Sequence, residues 1–139
     1  MNIDIYDDNI RLSATLDMPD HWGYVFDNQQ AETNFINQKT PVCFHGHTHC
    51  PMIYEKQLSG VYRIDPQDFD LKPGRKYFIN VGSVGQPRDG DPRATYVIYD
   101  AAARRVTFRR LEYDIAAAQA RVRAAGLPER LAERLAHGQ

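Results

Sequence analysis

Eight consecutive residues, from Cys43 to Cys50, read Cys-Phe-His-Gly-His-Thr-His-Cys and hold three of the five histidines and both cysteines of a 139-residue chain. Imidazole nitrogens and thiolates are good ligands for transition metals, so this stretch is where the sequence could do chemistry. In an extended segment, residues two apart share a face about 6.6 Å apart. Cys43, His45, His47 and His49 would then line one side, if the strand persists past Gly46, a residue that invites a bend. His47 and His49 are the expected metal ligands, holding one ion or two adjacent ions through neutral imidazoles. Two other readings stay open. The histidines are polar strand-end residues without a ligand, or a small zinc site adds Cys43 or Cys50, although the cysteines lack the close pairing of structural zinc sites.

The elements that would position this stretch are mostly strands. Ile3 and Ile5, then Ile10 and Leu12, alternate around Asp7-Asp8-Asn9 and predict an N-terminal hairpin. A loop with aromatic anchors follows, broken by Pro19 and Gly23, and then a short helix over about residues 29–38 with Ala31 and Phe35 on one face. From Pro41 onward PVCFH, MIYEK, YRI, YFINV, TYVIYD and RVTFRRLEY are β-rich runs separated by Gly, Pro and Asp. Asp114 is placed to cap a helix that Gly126 ends, and Pro128 opens a second helix with Leu131 and Leu135 on one face. The fold class is therefore α/β or α+β, a mixed β-sheet followed by two C-terminal helices.

Composition narrows the function classes. A net charge of −1 argues against a dedicated nucleic-acid or membrane-surface binder. No run approaches the roughly 20 apolar residues of a membrane span. The acidic, alternating start is unlike a signal or transit peptide. With two cysteines the chain has no disulfide framework, and a cytoplasmic location with reduced thiols is the expectation.

GHTHCP followed by NVGSVGQPRDGDPRATYVIYD resembles the C-terminal half of a calcineurin-like metallophosphoesterase, and within that family the bacterial predicted phosphoesterases and diadenosine-tetraphosphatase-like phosphatases. The resemblance extends through LEYDIAAAQARVRAAGLPERLAERL, over nearly the whole chain. It implies a four-layer αββα sandwich and a site of two divalent ions (Mn, Fe, Zn or Mg) that hydrolyses phosphate esters. Two such ions activate a water and clamp the phosphoryl oxygens. His47 and His49 match the last metal motif of the family, each contributing to a different ion. Residues 80–85 match a turn near the site, where glycines would let backbone amides approach an anion. Asn80 and Arg88 are the expected substrate contacts, with Arg93 a further candidate for phosphate. QPRDGDPR reads equally as a polar hairpin loop between strands, and Val81 stands where family members often carry proline.

The departures bear on activity. The earlier family motifs, Asp-x-His, Gly-Asp-x-x-Asp and Gly-Asn-His-Asp/Glu, do not occur in this sequence. In IRLSATLDMP, Ser13 stands where the family places a metal-binding histidine, and a protonated hydroxyl is a poor ligand. His21, in the following loop, is the alternative donor. A partial domain is thus expected to be inactive by itself, needing either a separate N-terminal half or self-association through an exposed sheet edge. The alternative is a non-catalytic binding or structural remnant with weak metal affinity.

Overall fold

A computed structural model describes residues 12–13, 15–16, 21 and 23–139. The hairpin expected over the first fifteen residues falls largely outside them. Strand β1 (Leu12–Ser13) leads through helix α1 (Asn28–Asn37) to β2 (Val42–His45), then β3 (Met52–Gln57), β4 (Gly60–Ile64), β5 (Phe69–Asp70) and β6 (Lys76–Asn80). A hairpin of β7 (Ala94–Asp100) and β8 (Arg105–Leu111) follows, then α2 (Ile115–Ala124), α3 (Glu129–Glu133) and a 3-10 turn over Arg134–His137.

These strands form two sheets. The larger has the order β1-β2-β6-β3-β4 and the smaller β5-β8-β7. Strands β1, β2 and β6 run parallel, and β3 is antiparallel to β6. One row of the larger sheet aligns Ser13 with His45, His45 with Asn80, and Asn80 with Met52. Three parallel strands therefore end level with one another, and the loop after β2 and the loop after β6 leave from that edge. Carboxyl ends of parallel strands are where open α/β sheets bind ligands.

Burial follows the strand period. All four residues of β2 are buried, because both faces of this strand are covered. Cys43 points into a cluster with Leu16, Val25, Ala31, Phe35, Tyr54 and Phe78, which seats α1 on one face. Val42 and Phe44 point the other way, into a cluster with Ile53, Tyr77, Ile79 and Val106 that joins the two sheets. Helix, sheet and sheet account for three layers among the described residues. Helix α1 is started by Asp27, whose carboxylate accepts from the Gln30 amide at 2.8 Å, while the Gln30 side chain accepts from the Phe26 amide at 2.7 Å.

The C-terminal elements match the sequence reading closely. Asp114 accepts from the Ala117 amide, and Gly126 takes a left-handed φ of 68° after α2. Helix α2 buries none of its side chains and packs on α3, where Gln119 donates to the Ala132 carbonyl at 3.0 Å. The extreme C-terminus then returns to the loop after β6. Gly90 donates to the Gly138 carbonyl at 3.0 Å, and a Cβ at Gly138 would lie 2.7 Å from the Asp91 backbone. No helix among the described residues is long and apolar enough to cross a membrane.

Candidate metal centre

Strand β2 stops at His45, which corrects the expectation that Cys43, His45, His47 and His49 share a face. His47 and His49 both adopt left-handed backbone conformations, with φ of 73° and 62°. Such conformations are costly for residues with a side chain and persist only where the surroundings enforce them. The turn reverses the chain so that the two rings leave the loop while Thr48, between them, is buried.

Asn80 does much of the enforcing. It is 1% exposed, at the end of β6, and its amide group donates to the Gly46 carbonyl at 2.9 Å and to Thr48 Oγ1 at 2.8 Å. Its carbonyl accepts from the Gly82 amide at 2.9 Å. Expected at the substrate, Asn80 is placed beneath the histidine loop and spends its polar atoms on two loops at once. Thr48 Oγ1 also accepts from the Cys50 amide at 3.2 Å.

The ring of His49 is oriented through Nδ1, which donates to the Gln86 carbonyl at 2.7 Å. That bond selects the tautomer with the proton on Nδ1 and leaves Nε2 as the lone-pair nitrogen, the arrangement common to metal-bound histidines. Burial, and after it the neighbouring Arg88, His47 and Arg134, hold the His49 pKa below its ordinary value, against the pull of the Gln86 carbonyl. A neutral imidazole at pH 7 is the ligating form. The ring of His47 lies against that of Tyr24, with centroids 4.2 Å apart and planes 21° from parallel.

The rest of the cluster is turned away. His45 is 1% exposed and stacks on Phe78 at 4.0 Å, and its Nε2 has no hydrogen-bond partner among the described residues. Burial pushes its pKa down to about 3. Cys43 sits in the α1 cluster, while Cys50 Sγ donates to the Arg88 carbonyl at 3.2 Å. The two thiols thus face different surroundings and do not join a zinc site with these histidines.

The loop after β6 also behaves differently from the anion-binding turn expected of it. The Gly82 amide is taken by Asn80, and Ser83 Oγ accepts from the amides of Gly85 and Gln86. These N–H groups are already taken by the side chains of their own loop. Arg88 is exposed; its amide donates to the His49 carbonyl at 3.1 Å, and its guanidinium is held by the Gln86 side chain. Arg93 is paired with Asp91, so the hairpin-loop reading describes it better than a phosphate contact. Arg110 binds Asp89 and approaches Asp91, and hydrogen bonds from Arg93 hold the Asp91 pKa down at about 2.

Ser13 lies level with His45 in the backbone register, and His21 is exposed. Among the described residues no group of three or more His, Cys, Asp or Glu converges to hold an ion. The donor set present fits part of a metal site, two imidazoles on a braced turn, and does not close one. Sequence reasoning missed Thr48, Gln86 and Tyr24. The small polar Thr48 between two histidines hinted at an inward turn, whereas the last two act through contacts distant in sequence.

Comparison with known proteins bears on this arrangement. No family model matches the chain. A crystal structure of a metallophosphoesterase from Sphaerobacter thermophilus superposes with a TM-score of 0.88 at 44% identity, covering 97% of this chain and 57% of its own. The chain has the fold of a metallophosphoesterase over the part that it spans. The region matched is consistent with the C-terminal half of a calcineurin-like domain. A hypothetical protein, PH1004, from Pyrococcus horikoshii shares the fold at a TM-score of 0.64 and 19% identity, with 94% of this chain and 46% of its own covered. An uncharacterized protein of Methanocaldococcus jannaschii, MJ0912, is 35% identical over 121 residues, which is 87% of this chain and 48% of that protein. The chain therefore spans about half the length of the relatives it matches.

Proposed function

We propose that the chain contributes the two-histidine turn of a divalent-metal phosphoesterase that hydrolyses phosphate esters. The observation that carries this reading is the strained Gly46–His49 turn, at the ends of three parallel strands, with His49 Nε2 left as lone-pair donor by the Nδ1 bond to Gln86. A turn this costly, braced by a buried asparagine and a carbonyl, is what a preorganised ligand site requires.

In this reading His47 and His49 are the ion ligands, each toward a different ion of a pair drawn from Mn, Fe, Zn or Mg. Such ions, when bound, supply Lewis-acid polarisation of a phosphoryl oxygen and a more acidic water. Asn80 and Thr48 hold the turn, and Gln86 sets the His49 tautomer. The exposed Arg88, fixed to the same loop through its amide, is the group placed to neutralise a phosphate oxygen. The remaining ligands would come from the part of the fold this chain does not span.

A second reading, a non-catalytic remnant with weak metal affinity, is favoured by one observation: no third ligand converges on the histidines among the described residues. Calorimetry with Mn²⁺ and hydrolysis of an aryl phosphate separate the two. The chain alone should bind Mn²⁺ weakly, lose at least tenfold in affinity on His49→Ala, and show no turnover. Joined to the remaining part of the Sphaerobacter relative, with Ser13→His, it should hydrolyse the ester. A joined protein that binds two ions and stays inactive supports the remnant. Unchanged affinity in His49→Ala sinks the ligand assignment.

A further inference from the structure

The two histidines of the turn are oriented by different devices. His49 is held by a hydrogen bond to a carbonyl; His47 lies against an aromatic ring. That ring, Tyr24, is 47% exposed, and it stacks in turn on Phe26, 55% exposed, with centroids 5.6 Å apart and planes 14° from parallel. Two neighbouring exposed aromatics placed face to face on a surface call for an explanation.

The local backbone explains how they come together. Residues 23–26 lie in a segment without regular secondary structure, in which Tyr24 and Phe26 stack on each other while Val25 between them is buried in the α1 cluster. The segment is also tied at its far end. Phe26 donates to the Gln30 side chain, and the next residue, Asp27, caps α1. At its near end, Gly23 packs on Thr15 so closely that a Cβ would lie 2.8 Å from Thr15 Cγ2. A buried valine, a capped helix and a tight glycine thus hold the pair rigidly at the flank of the histidine turn.

We infer that Tyr24, backed by Phe26, is a positioning residue that fixes the plane of the His47 imidazole for ion binding. Stacking occupies a ring face, whereas ligation uses the in-plane nitrogens, so the two are compatible. A left-handed turn fixes where the side chain starts, and the ring plane is a separate matter. The stack constrains that plane, as the Gln86 carbonyl does for His49. Partners that orient a ligating histidine typically account for 10- to 100-fold in metal affinity.

The inference rests on His47 being an ion ligand, and its test keeps the two ideas apart. Zn²⁺ affinity by calorimetry and the His47 ring proton shifts by NMR are measured in wild type, Tyr24→Ala, Tyr24→Phe and Phe26→Ala. In the metal-free wild type the His47 ring protons should lie upfield from the Tyr24 ring current and show contacts to it. Tyr24→Ala should abolish that shift and weaken Zn²⁺ about tenfold, with the melting temperature kept because the residue is half exposed. Tyr24→Phe should restore both readouts, and Phe26→Ala should give a smaller loss. Wild-type Zn²⁺ affinity in Tyr24→Ala, or a Tyr24→Phe variant as impaired as Tyr24→Ala, overturns the proposal. If the wild type binds no Zn²⁺, the ligand reading fails, and the NMR arm alone decides. Loss of the His47 shift in Tyr24→Ala then retains the positioning contact, and an unchanged shift removes it.

Discussion

His45 has the type and the neighbourhood of a ligand, but its ring is buried on Phe78 and its pKa is held at about 3, against an ordinary 6.5. In the unfolded chain this imidazole takes a proton near pH 6.5; in the folded chain it stays neutral until about pH 3. Between those values the unfolded state binds more protons, so stability falls as pH drops from 6.5 toward 3. His49, also held below its ordinary value, adds with the same sign. The metal-free chain at pH 5 should be less stable than at pH 7 by about 2 kcal/mol in urea denaturation. His45→Phe should flatten most of that slope, and a wild type equally stable at both pH values would contradict the burial argument. His47 and His49 were singled out by type and spacing alone. Their braces were not, because Asn80, Gln86 and Tyr24 reach the turn from 23 to 37 residues away in a chain whose pairing is set by the sheet.

At the scale of elements, the loop after β6 is where a family resemblance and local packing come apart. Its glycines look like an anion cradle, yet Gly82 has a φ of 78° and packs so tightly that a Cβ would lie 2.9 Å from Thr95 Cβ. Gly85 has nothing within 4 Å of such a Cβ. Gly82→Ala should therefore cost roughly 2 kcal/mol or more in thermal denaturation, and Gly85→Ala no more than about 0.5 kcal/mol. Equal effects would show that the loop is not pinned at Gly82. Six of the eight strands among the described residues were legible as β-rich runs bounded by turn residues. Strand β1 falls on the stretch marked by the Ile10 and Leu12 alternation, whereas β5, two residues long, carries no period to read. Helix α1 was faint because only Ala31, Asn34 and Phe35 are buried along its ten residues.

At the scale of the whole molecule, the layering of the described residues leaves one apolar face open. On the outer face of the β7–β8 hairpin, Ile98 and Leu111 remain exposed, opposite the side where Val97, Tyr99 and Phe108 meet the core. A four-layer sandwich would cover this face, and the chain spans 57% of the solved metallophosphoesterase it matches. The occupant we propose for it is the remaining part of that fold. Hydrogen exchange on the chain alone and joined to the missing part should show new protection at Ile98, Tyr96 and Leu111. Protection that instead rises with the concentration of the isolated chain would mean that a second copy takes this place.

The identity of the histidines, the order of the later strands and the caps of the C-terminal helices were already decided by the sequence. Each depends on residues close together in the chain, such as Asp114 and Ala117 or the alternation along β7. The parallel register that levels Ser13, His45 and Asn80 was decided only by the tertiary structure, as was the left-handed turn that separates the rings of His47 and His49 from the buried ring of His45. Parallel pairing joins strands far apart in sequence, and a strained turn exists only when distant groups hold it, so neither leaves a local trace in the order of residues.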